Sequence, residues 1–499
     1  MPVNEIQRDF VARLDHVTGE FGHVPAIRYG GQDYTWTDIG QIVRTARSVL
    51  DRVDDNAAVA VVLRSRPWCM AAVLSTLGSG RGVLLISPVQ ADAALGDEIR
   101  TLAPAVLFAD DEDWQRPGFA EAARGSIGVS LHGENSFAEL RSDSDADTAR
   151  GTMHPDAAVG IATSGTTGPA KRYSLTWEDV RFTGVRRNPT ADRGAMINAL
   201  PLFSIGGVST MVSTLFGGRP VALMDRFDVM EWAETIRDYG PNRAGAPPAV
   251  LRMMLDRGVP KEWFASVKSI YTASAPLSMS LAQEFETVYQ IPIVQGYGAT
   301  EFAGAVTGWP GDLHERFGAA KRGSVGKPYE EVKIRIVDRE TREELPPGVA
   351  GQLEVDSPRR VQGIDPGWIP TNDLARIDED GFLWILGRSD DVIIRGGFKV
   401  HLPDVEKALV EHPDVSDACV VALTDERVGE VPGAVVVLNM NVRSSPTQAD
   451  MVEWVKEKLP AYAAPTKVLI LEDMPMNAML KKDRVQVRRM LEAAVGATT

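Results

Sequence analysis

The sequence predicts an α/β protein built mostly on parallel sheets, followed by a smaller α+β unit at its C-terminal end. Three observations lead to this fold class. Short runs rich in Val, Ile, Leu and Ala alternate with helical patterns up to about residue 320. From there on, apolar runs pair across turns, as antiparallel strands do. Residues 391–499 then mix short strands and helices over a length that suits one compact unit.

The local sequence accounts for each predicted element. The run 59–65 is typical of a buried strand, and Pro67 then begins a helix, because its missing N–H is not needed in a first turn. Gly78 ends that helix, and 82–87 is the next strand. The same alternation predicts strands at 157–163, 194–200, 267–273 and 291–294. The later pattern predicts antiparallel strands at 332–338 and 351–357, and a strand pair around the two glycines of VIIRGGFKV at 392–400.

Composition and charge argue against several classes of protein. The 499 residues contain 53 Lys and Arg against 68 Asp and Glu, a formal net charge of −15. No nucleic-acid partner and no polybasic membrane contact is therefore expected. Cys69 and Cys419 cannot form a disulfide framework or a metal knuckle. The N-terminus lacks an apolar signal segment, and no run approaches 18 apolar residues. The expectation is a cytoplasmic protein without a membrane partner.

The strongest chemical signal is a loop of hydroxyl residues and glycines that directly follows a predicted strand. Its glycines let backbone N–H groups converge on an anion, its hydroxyls add donors, and its lysine adds a positive charge. It is not a Walker A loop, because Ala170 stands where that motif has a glycine. A plain linker can have the same composition. As a phosphate site it would use Thr163, Ser164, Gly165, Thr166, Thr167, Gly168 and Lys171.

Together with other motifs, this loop resembles the adenylate-forming superfamily, which includes acyl-CoA synthetases, nonribosomal peptide adenylation domains and luciferases. The matching segments follow in the order of that family and extend from residue 34 to residue 484. They are YTWTDI (34–39), PLFS (201–204), ASAPL (273–277), GYGATE (296–301), GSVGKP (323–328), TNDL (371–374), GRSDDVI (387–393) and NAMLK (477–481). Each motif alone is weak, whereas the ordered set is specific.

The resemblance implies both a domain organisation and a reaction. An N-terminal domain over 1–388 would include a small β-barrel-like part, and a mobile C-terminal lid over 389–499 would turn about a hinge at Asp390. A carboxylic acid and ATP would give acyl-AMP, after which CoA would take the acyl group. Mg²⁺ is the implied cofactor, because a hard cation suits phosphate and carboxylate oxygens.

The resemblance also assigns a role to residues of each motif. Glu301 would hold Mg²⁺, Thr300 would touch the α-phosphate, and Lys481 would be the catalytic lysine between the α-phosphate and the acid. Adenine and ribose would lie against Ser274, Ala275, Pro276, Tyr297, Asp373 and Arg388. Gly396, Gly397 and Lys399 would line the CoA tunnel, and Phe203, Ser204, Ile205, Gly296 and Phe302 would form the acyl pocket.

Departures from the family pattern define the alternatives. Ser204 stands where amino-acid activators have an aspartate, so the acid is expected to lack an α-ammonium group. Arg172, Asn372 and Leu480 stand where the family has glycines, and leucine in the lysine loop restricts φ and adds bulk. The leading hypothesis is a complete acyl-CoA synthetase.

Three other hypotheses stay open. A half-enzyme would pass supplied acyl-AMP to CoA, an adenylating enzyme would load a separate carrier protein, and a non-catalytic protein would only bind the nucleotide. Apolar residues in the predicted pocket leave fatty, aromatic and polycyclic acids open. The oligomeric state, a homodimer among the options, is not predicted.

Overall fold

The structure is a computed structural model that describes residues 3–132, 136–141, 151–163, 171–184, 195–197, 199, 202–310, 312–439, 446–477 and 480–496. Ser164, Gly165, Thr166, Thr167 and Gly168 of the predicted phosphate loop lie outside these ranges. Their role therefore stays a prediction. No helix within the described ranges is long and apolar enough to cross a membrane.

The described residues form fifteen α-helices. Three of them begin with a capping box: the hydroxyls of Thr35, Thr176 and Thr447 accept the backbone N–H of an aspartate three residues on, and that aspartate accepts the threonine N–H in return. The motif at 34–39 thus begins a helix. The helices are α1 Val3–Glu20, α2 Trp36–Leu50, α3 Pro67–Leu77, α4 Asp92–Leu102, α5 Asp111–Trp114, α6 Phe119–Ala122, α7 Trp177–Gly184, α8 Ile205–Phe216, α9 Val229–Tyr239, α10 Pro248–Arg257, α11 Met279–Tyr289, α12 Leu313–Phe317, α13 Leu402–Val410, α14 Gln448–Lys458 and α15 Arg484–Gly496.

Twenty-seven strands lie in the same described ranges. They are β1 Pro25–Tyr29, β2 Gln32–Thr35, β3 Val59–Val62, β4 Val83–Ile86, β5 Val106–Asp110, β6 Ile127–His132, β7 Ser136–Arg141, β8 Ala157–Thr163, β9 Lys171–Thr176, β10 Met196–Ile197, β11 Val221–Leu223, β12 Arg243–Gly245, β13 Ser269–Thr272, β14 Ile293–Gln295, β15 Gly298–Ala299, β16 Gly304–Ala305, β17 Thr307–Gly308, β18 Lys327–Pro328, β19 Lys333–Val337, β20 Gly351–Asp356, β21 Ile369–Ile377, β22 Leu383–Arg388, β23 Val392–Arg395, β24 Phe398–His401, β25 Val415–Asp425, β26 Gly429–Leu438 and β27 Lys467–Leu471.

The largest sheet has a parallel centre and antiparallel edges. Its strand order is β7-β6-β5-β3-β4-β8-β9, with β7 and β9 antiparallel to their neighbours. All four residues of β3 are buried, and so is every residue of α3. Strands that are covered on both faces have continuous apolar sequences. For this reason the apolar runs at 59–65 and 82–87 correctly predicted β3 and β4.

Two further sheets complete the α/β part of the N-terminal domain. The order of one is β10-β11-β1-β2, and the other is the parallel sheet β12-β13-β14. Residues of α9, α10 and α11 form a hydrophobic core with β12–β14, which we call the second core. The loops after β13 and β14 carry the ASAPL and GYG motifs. The predicted strands at 267–273 and 291–294 are confirmed.

The chain then changes to antiparallel pairing, as predicted from about residue 321. Strands β19-β20-β21-β22 form an antiparallel sheet. The C-terminal domain has a mixed sheet in the order β24-β23-β26-β25, with β27 parallel to β26. This sheet packs with helices α13 and α14 around its own core. The predicted boundary between residues 388 and 389 falls between β22 and β23 and stays a prediction.

Candidate active site

Strands β8 and β9 bring the two ends of the predicted phosphate loop together. Thr163, the last residue of β8, lies directly opposite Lys171, the first residue of β9. The neighbouring Arg172 turns inward: its guanidinium pairs with Glu98, and its Nη1 lies 3.4 Å from the carbonyl oxygen of Gly160. The cation that replaces a family glycine is therefore neutralised within the sheet and is not offered to a phosphate.

The Gly-Tyr-Gly segment after β14 is a close approach between several backbones and side chains. A Cβ on Gly296 would overlap the hydroxyl of Tyr271, and a Cβ on Gly298 would overlap the carbonyl oxygen of Gly304. Glycine is the residue that fits at both positions. Tyr271 belongs to none of the sequence motifs. Tyr271 and Gly296 are 25 positions apart in the sequence, and no local pattern indicates that they are in contact.

Tyr297 and Asp373 form the centre of the predicted ribose site. The Tyr297 hydroxyl donates a hydrogen bond to Asp373 Oδ2. Arg388 lies directly opposite Asp373 on the next strand, and its Nη1 is 3.9 Å from Asp373 Oδ1. The Asp373 side chain is 15% exposed. Burial raises the pKa of this carboxyl, while Tyr297 and Arg388 act in the opposite direction. Tyr297, Asp373 and Arg388 therefore meet around one carboxylate, and we call them the ribose cluster after their predicted role.

Arg388 also holds the predicted hinge residue. Its guanidinium makes two hydrogen bonds to the Asp390 carboxylate, at 2.8 and 2.7 Å. The hydrogen bond from Arg388 keeps the pKa of Asp390 below its ordinary value. Asn372, where the family has a glycine, lies in the extended strand β21 and donates its amide to Asp390 at 3.3 Å. The asparagine thus contributes a side-chain contact to the predicted hinge residue.

Glu301 lies beside this cluster in a short 3₁₀ turn, Thr300–Phe302. It is half-buried, and its charge raises the pKa of both Tyr297 and Asp373, although burial contributes more to each shift. The described residues contain no group of three His, Cys, Asp or Glu that could bind a metal. Mg²⁺ needs no such group where one or two carboxylates, water and substrate phosphates share the ion. A half-buried carboxylate beside the ribose cluster fits that role.

A tight turn presents Lys481 from the C-terminal domain. The Asn477 N–H donates to the Lys481 carbonyl at 2.8 Å, and the Lys481 N–H donates to Asn477 Oδ1 at 3.1 Å. Within this turn Leu480 has φ = +53°, the left-handed conformation that glycine adopts easily. Leucine was expected to restrict φ here, yet the backbone keeps the conformation that suits the family's glycine. Ala478 and Met479 lie outside the described residues.

The two adjacent lysines have opposite surroundings. Lys481 is exposed to water, and we find no ion-pair partner for it within the described ranges, but the surrounding protein lowers the pKa of its ammonium by desolvation. Lys482 turns into the C-terminal domain, where its Nζ lies 2.8 Å from Glu406 and 2.9 Å from Asp417. Lys482 therefore fixes the turn to its own domain and leaves the Lys481 side chain available.

The remaining predicted residues lie in three places. Gly396 and Gly397 form the turn of the β23–β24 hairpin with φ of +55° and +90°, and Lys399 on β24 is exposed. Ser274 of the predicted adenine loop has φ = +71°, and Ala275 and Pro276 follow it with accessible side chains. In the predicted acyl pocket, the Ser204 hydroxyl accepts the Gly207 N–H at 2.9 Å and caps α8. Phe203 is half-buried, whereas Ile205 and Phe302 lie in two different hydrophobic cores.

Comparison with known proteins matches both domains. Residues 14–364 match the family described as AMP-binding enzyme, and 404–481 match the AMP-binding enzyme C-terminal domain. A 4-coumarate–CoA ligase-like protein 6 of Arabidopsis thaliana is 29% identical over 68% of this chain and 64% of that protein. A 2-succinylbenzoate–CoA ligase of Bacillus cereus is 29% identical over 66% of this chain and 70% of that enzyme. ATP-bound MatB from Rhodopseudomonas palustris has the same fold, with a TM-score of 0.80, 24% identity and coverage of 97% and 98% of the two chains.

Proposed function

The chain belongs to the family of AMP-binding enzymes, and we propose that it is an acyl-CoA synthetase that makes acyl-AMP from ATP and a carboxylic acid. CoA then takes the acyl group, and AMP leaves. The family match and the CoA ligases among its relatives support an AMP-forming acid–CoA ligase. The observation that carries the proposal is the cluster of Tyr297, Asp373 and Arg388 beside Glu301. It offers one carboxylate to sugar hydroxyls and a second to a metal ion.

In the first step, a carboxylate oxygen of the acid attacks the α-phosphorus and pyrophosphate leaves. The acid is ionised at pH 7, so the chain needs no general base. The barrier is the approach of one anion to another, and cations at the phosphates lower it. Lys481 would place its ammonium between the carboxylate and the α-phosphate, and Glu301 would hold Mg²⁺, which neutralises phosphate charge when bound. Thr300 would donate its hydroxyl to the α-phosphate.

In the second step, the CoA thiol attacks the acyl carbon and AMP is the leaving group. We propose that the C-terminal domain, residues 389–499, turns about Asp390 between the steps, so that Lys481 leaves and the Gly396–Gly397 turn approaches. A turn without side chains leaves room for the thiol arm. Arg388 contacts both Asp373 and Asp390 and therefore links the ribose site to the hinge.

The substrate class follows from the chemistry at the start of α8. Ser204 uses its hydroxyl to cap that helix and carries no charge for an ammonium group. We therefore propose an acid without an α-amino group. The relatives named for coumarate and succinylbenzoate favour an aromatic acid as the first class to try.

The test is a product assay that follows the two steps separately. The purified chain is incubated with Mg²⁺, ATP and CoA and a panel of aromatic, dicarboxylic and fatty acids, while pyrophosphate and acyl-CoA are measured in parallel. We expect both products in equal amounts with at least one acid, and pyrophosphate but no thioester when CoA is omitted.

Two results would redirect the proposal. Thioester formed from synthetic acyl-AMP, with no pyrophosphate from any acid, would identify a half-enzyme. Pyrophosphate release with transfer only to a phosphopantetheinylated carrier protein would identify a carrier-loading enzyme. Glu301→Ala tests whether adenylation depends on the proposed Mg²⁺ site. This variant should release pyrophosphate more slowly, and raised Mg²⁺ should restore part of the rate.

A further inference from the structure

Leu480 occupies a backbone conformation that disfavours it. At φ = +53° its Cβ approaches the following carbonyl oxygen, a contact that glycine avoids and asparagine tolerates. Leucine gains no local hydrogen bond from its side chain in return. A strained leucine in this turn therefore points to a compensating contact elsewhere.

The structure shows such a contact on the other domain. Leu480 is half-buried and packs against the second core, which belongs to the N-terminal domain. Leu277 of the ASAPL motif packs against that same core. The strands of this core end at the adenine loop and at Gly296. The leucine next to Lys481 therefore lies on the part of the N-terminal domain that carries the nucleotide-binding loops.

Behind Leu480, the chain is fixed to the C-terminal domain. Lys482 pairs with Glu406 and Asp417, and Arg484 donates to the carbonyl oxygen of Val420 at 2.6 Å. The position of Leu480 is thus coupled to that of the C-terminal sheet. The apolar contact and these polar anchors, only two to four residues apart, join the two domains through one short segment.

Charges near this contact oppose it. Asp256 of α10 lies close enough to Asp417 and Asp473 of the C-terminal domain that both raise its pKa, together with burial, which is the larger cause. Arg252, which pairs with Asp256 at 3.1 Å, and Lys482, which pairs with Asp417 at 2.9 Å, offset part of this repulsion. Apolar burial therefore acts against carboxylate repulsion at the boundary between the domains.

We infer that Leu480 is a positioning residue that latches the lysine turn onto the second core and so favours the domain orientation used for adenylation. This inference rests on the proposed function, because it needs two half-reactions with two orientations of the C-terminal domain. A glycine would leave the turn free of side-chain contacts. Leucine instead biases the equilibrium toward the orientation in which residue 480 contacts the second core, which we call the closed orientation. Release of the latch then becomes part of the passage to the thioester step.

The test combines four variants of one residue. Leu480→Asn tolerates the left-handed φ but removes the apolar contact, and Leu480→Gly also removes the strain. Leu480→Ala keeps the strain without the contact, and Leu480→Met keeps the contact. We expect the first three to slow single-turnover acyl-AMP formation about threefold to tenfold while thioester formation from supplied acyl-AMP stays level or rises. Leu480→Met should keep both rates within about twofold.

A distance measurement separates a latch from a merely structural role. Spin labels on cysteines introduced at the exposed Val288 and Glu457 report the separation of the two domains, because the native Cys69 and Cys419 are buried. We expect a single dominant distance in the parent chain and a second, populated distance in Leu480→Asn. The Leu480→Met distribution should match that of the parent.

Three results would overturn the latch. One is an unchanged distance distribution in Leu480→Asn, and another is a parallel loss of both half-reactions. The third is faster adenylation in Leu480→Gly, which would mean that leucine misplaces Lys481. If the parent chain forms no acyl-AMP with any acid, the proposed function fails, but the distance distributions still decide whether Leu480 holds the domains together.

Discussion

The ribose cluster and the lysine turn are held by different kinds of contact. Tyr297, Asp373 and Arg388 lie on or beside neighbouring strands of the N-terminal domain and meet through hydrogen bonds and opposite charges. Lys481 lies on a turn of the C-terminal domain and has no ion-pair partner in the described part of the chain. Its neighbour Leu480 instead packs against the N-terminal domain with a strained backbone.

In the mechanism proposed above, this difference separates nucleotide binding from the chemistry of adenylation. A carboxylate fixed by a tyrosine and an arginine costs little reorganisation when a sugar arrives, which suits a site that is used in both half-reactions. A lysine needed in only one half-reaction is better carried by a segment that can leave. An apolar contact is suited to this, because it has no directional bonds that must be remade. The predictions below are ordered by expected effect, and each could break this division of roles.

Removing the Lys481 ammonium should have the largest effect. We expect Lys481→Ala to lower the rate of acyl-AMP formation by about two to three decades, since a charge placed at a developing phosphate charge is worth about 3–4 kcal/mol. Thioester formation from supplied acyl-AMP should stay within about threefold of the parent. Rapid-quench assays of each half-reaction measure both rates.

Lys456→Ala is the matched control for that variant, because Lys456 pairs with Glu453 on the surface of α14. It should leave both half-reactions unchanged. Equal losses of the two half-reactions in Lys481→Ala would place the lysine in the permanent site and remove the contrast with the ribose cluster.

Removing the Asp373 carboxylate should weaken nucleotide binding in both half-reactions. Hydrogen bonds to a charged group contribute about 1.5–3 kcal/mol, so Asp373→Ala should raise the KM for ATP about tenfold to a hundredfold. Affinity for acyl-AMP should fall by a similar factor. Calorimetry with AMP gives the same comparison without turnover, and Tyr297→Phe should show a smaller loss because the carboxylate remains. A variant impaired in adenylation alone would contradict a shared ribose site.

A side chain at the Gly396–Gly397 turn tests the segment proposed for the second step. We expect Gly397→Leu to slow thioester formation about tenfold and to leave acyl-AMP formation near the parental rate. A Cβ at Gly397 would meet no atom within 4 Å, but the backbone has φ = +90°. Gly397→Ala therefore carries the backbone strain without the bulk and separates the two causes. Equal effects of the two variants would assign the loss to strain.

Local patterns predicted much of the fold, whereas the members of the ribose cluster came from the resemblance to the adenylate-forming superfamily, and their roles stay predictions. The buried strands β3 and β4 and the glycine hairpin β23–β24 follow from neighbouring residues, and the ordered motifs indicated Asp373 and Arg388. Contacts between residues that are far apart in the sequence could not be predicted from local patterns. Arg172 pairs with Glu98, 74 positions earlier, and Tyr271 limits Gly296 to glycine. The packing of Leu480 against a core in the other domain likewise has no local signal in the sequence, so the substitution alone suggested a defect.

The smallest predicted effect concerns the charges that oppose the latch. Burial and the nearby Glu284, Asp417 and Asp473 raise the pKa of Asp256, while Arg252 acts against them. Because Asp417 and Asp473 belong to the other domain, this pKa should be higher in the closed orientation than in the open one. Protonation then favours the closed orientation, and that preference is lost as pH rises through the raised pKa.

We therefore expect the closed fraction, read from the Val288–Glu457 spin-label distance, to fall as pH rises from about 4, near the ordinary pKa of an aspartate, to 7.5. Asp256→Asn should flatten this dependence and keep the closed fraction high across the range, because its side chain carries no charge at either pH. Glu262→Gln removes the same charge from an exposed site on the N-terminal domain and should leave the pH dependence intact. A closed fraction that rises with pH, or one that responds equally to both variants, would show that carboxylate repulsion at Asp256 does not oppose Leu480. The apolar contact would then hold the domains without a counterforce, and the release of Lys481 after adenylation would have to come from the loss of pyrophosphate.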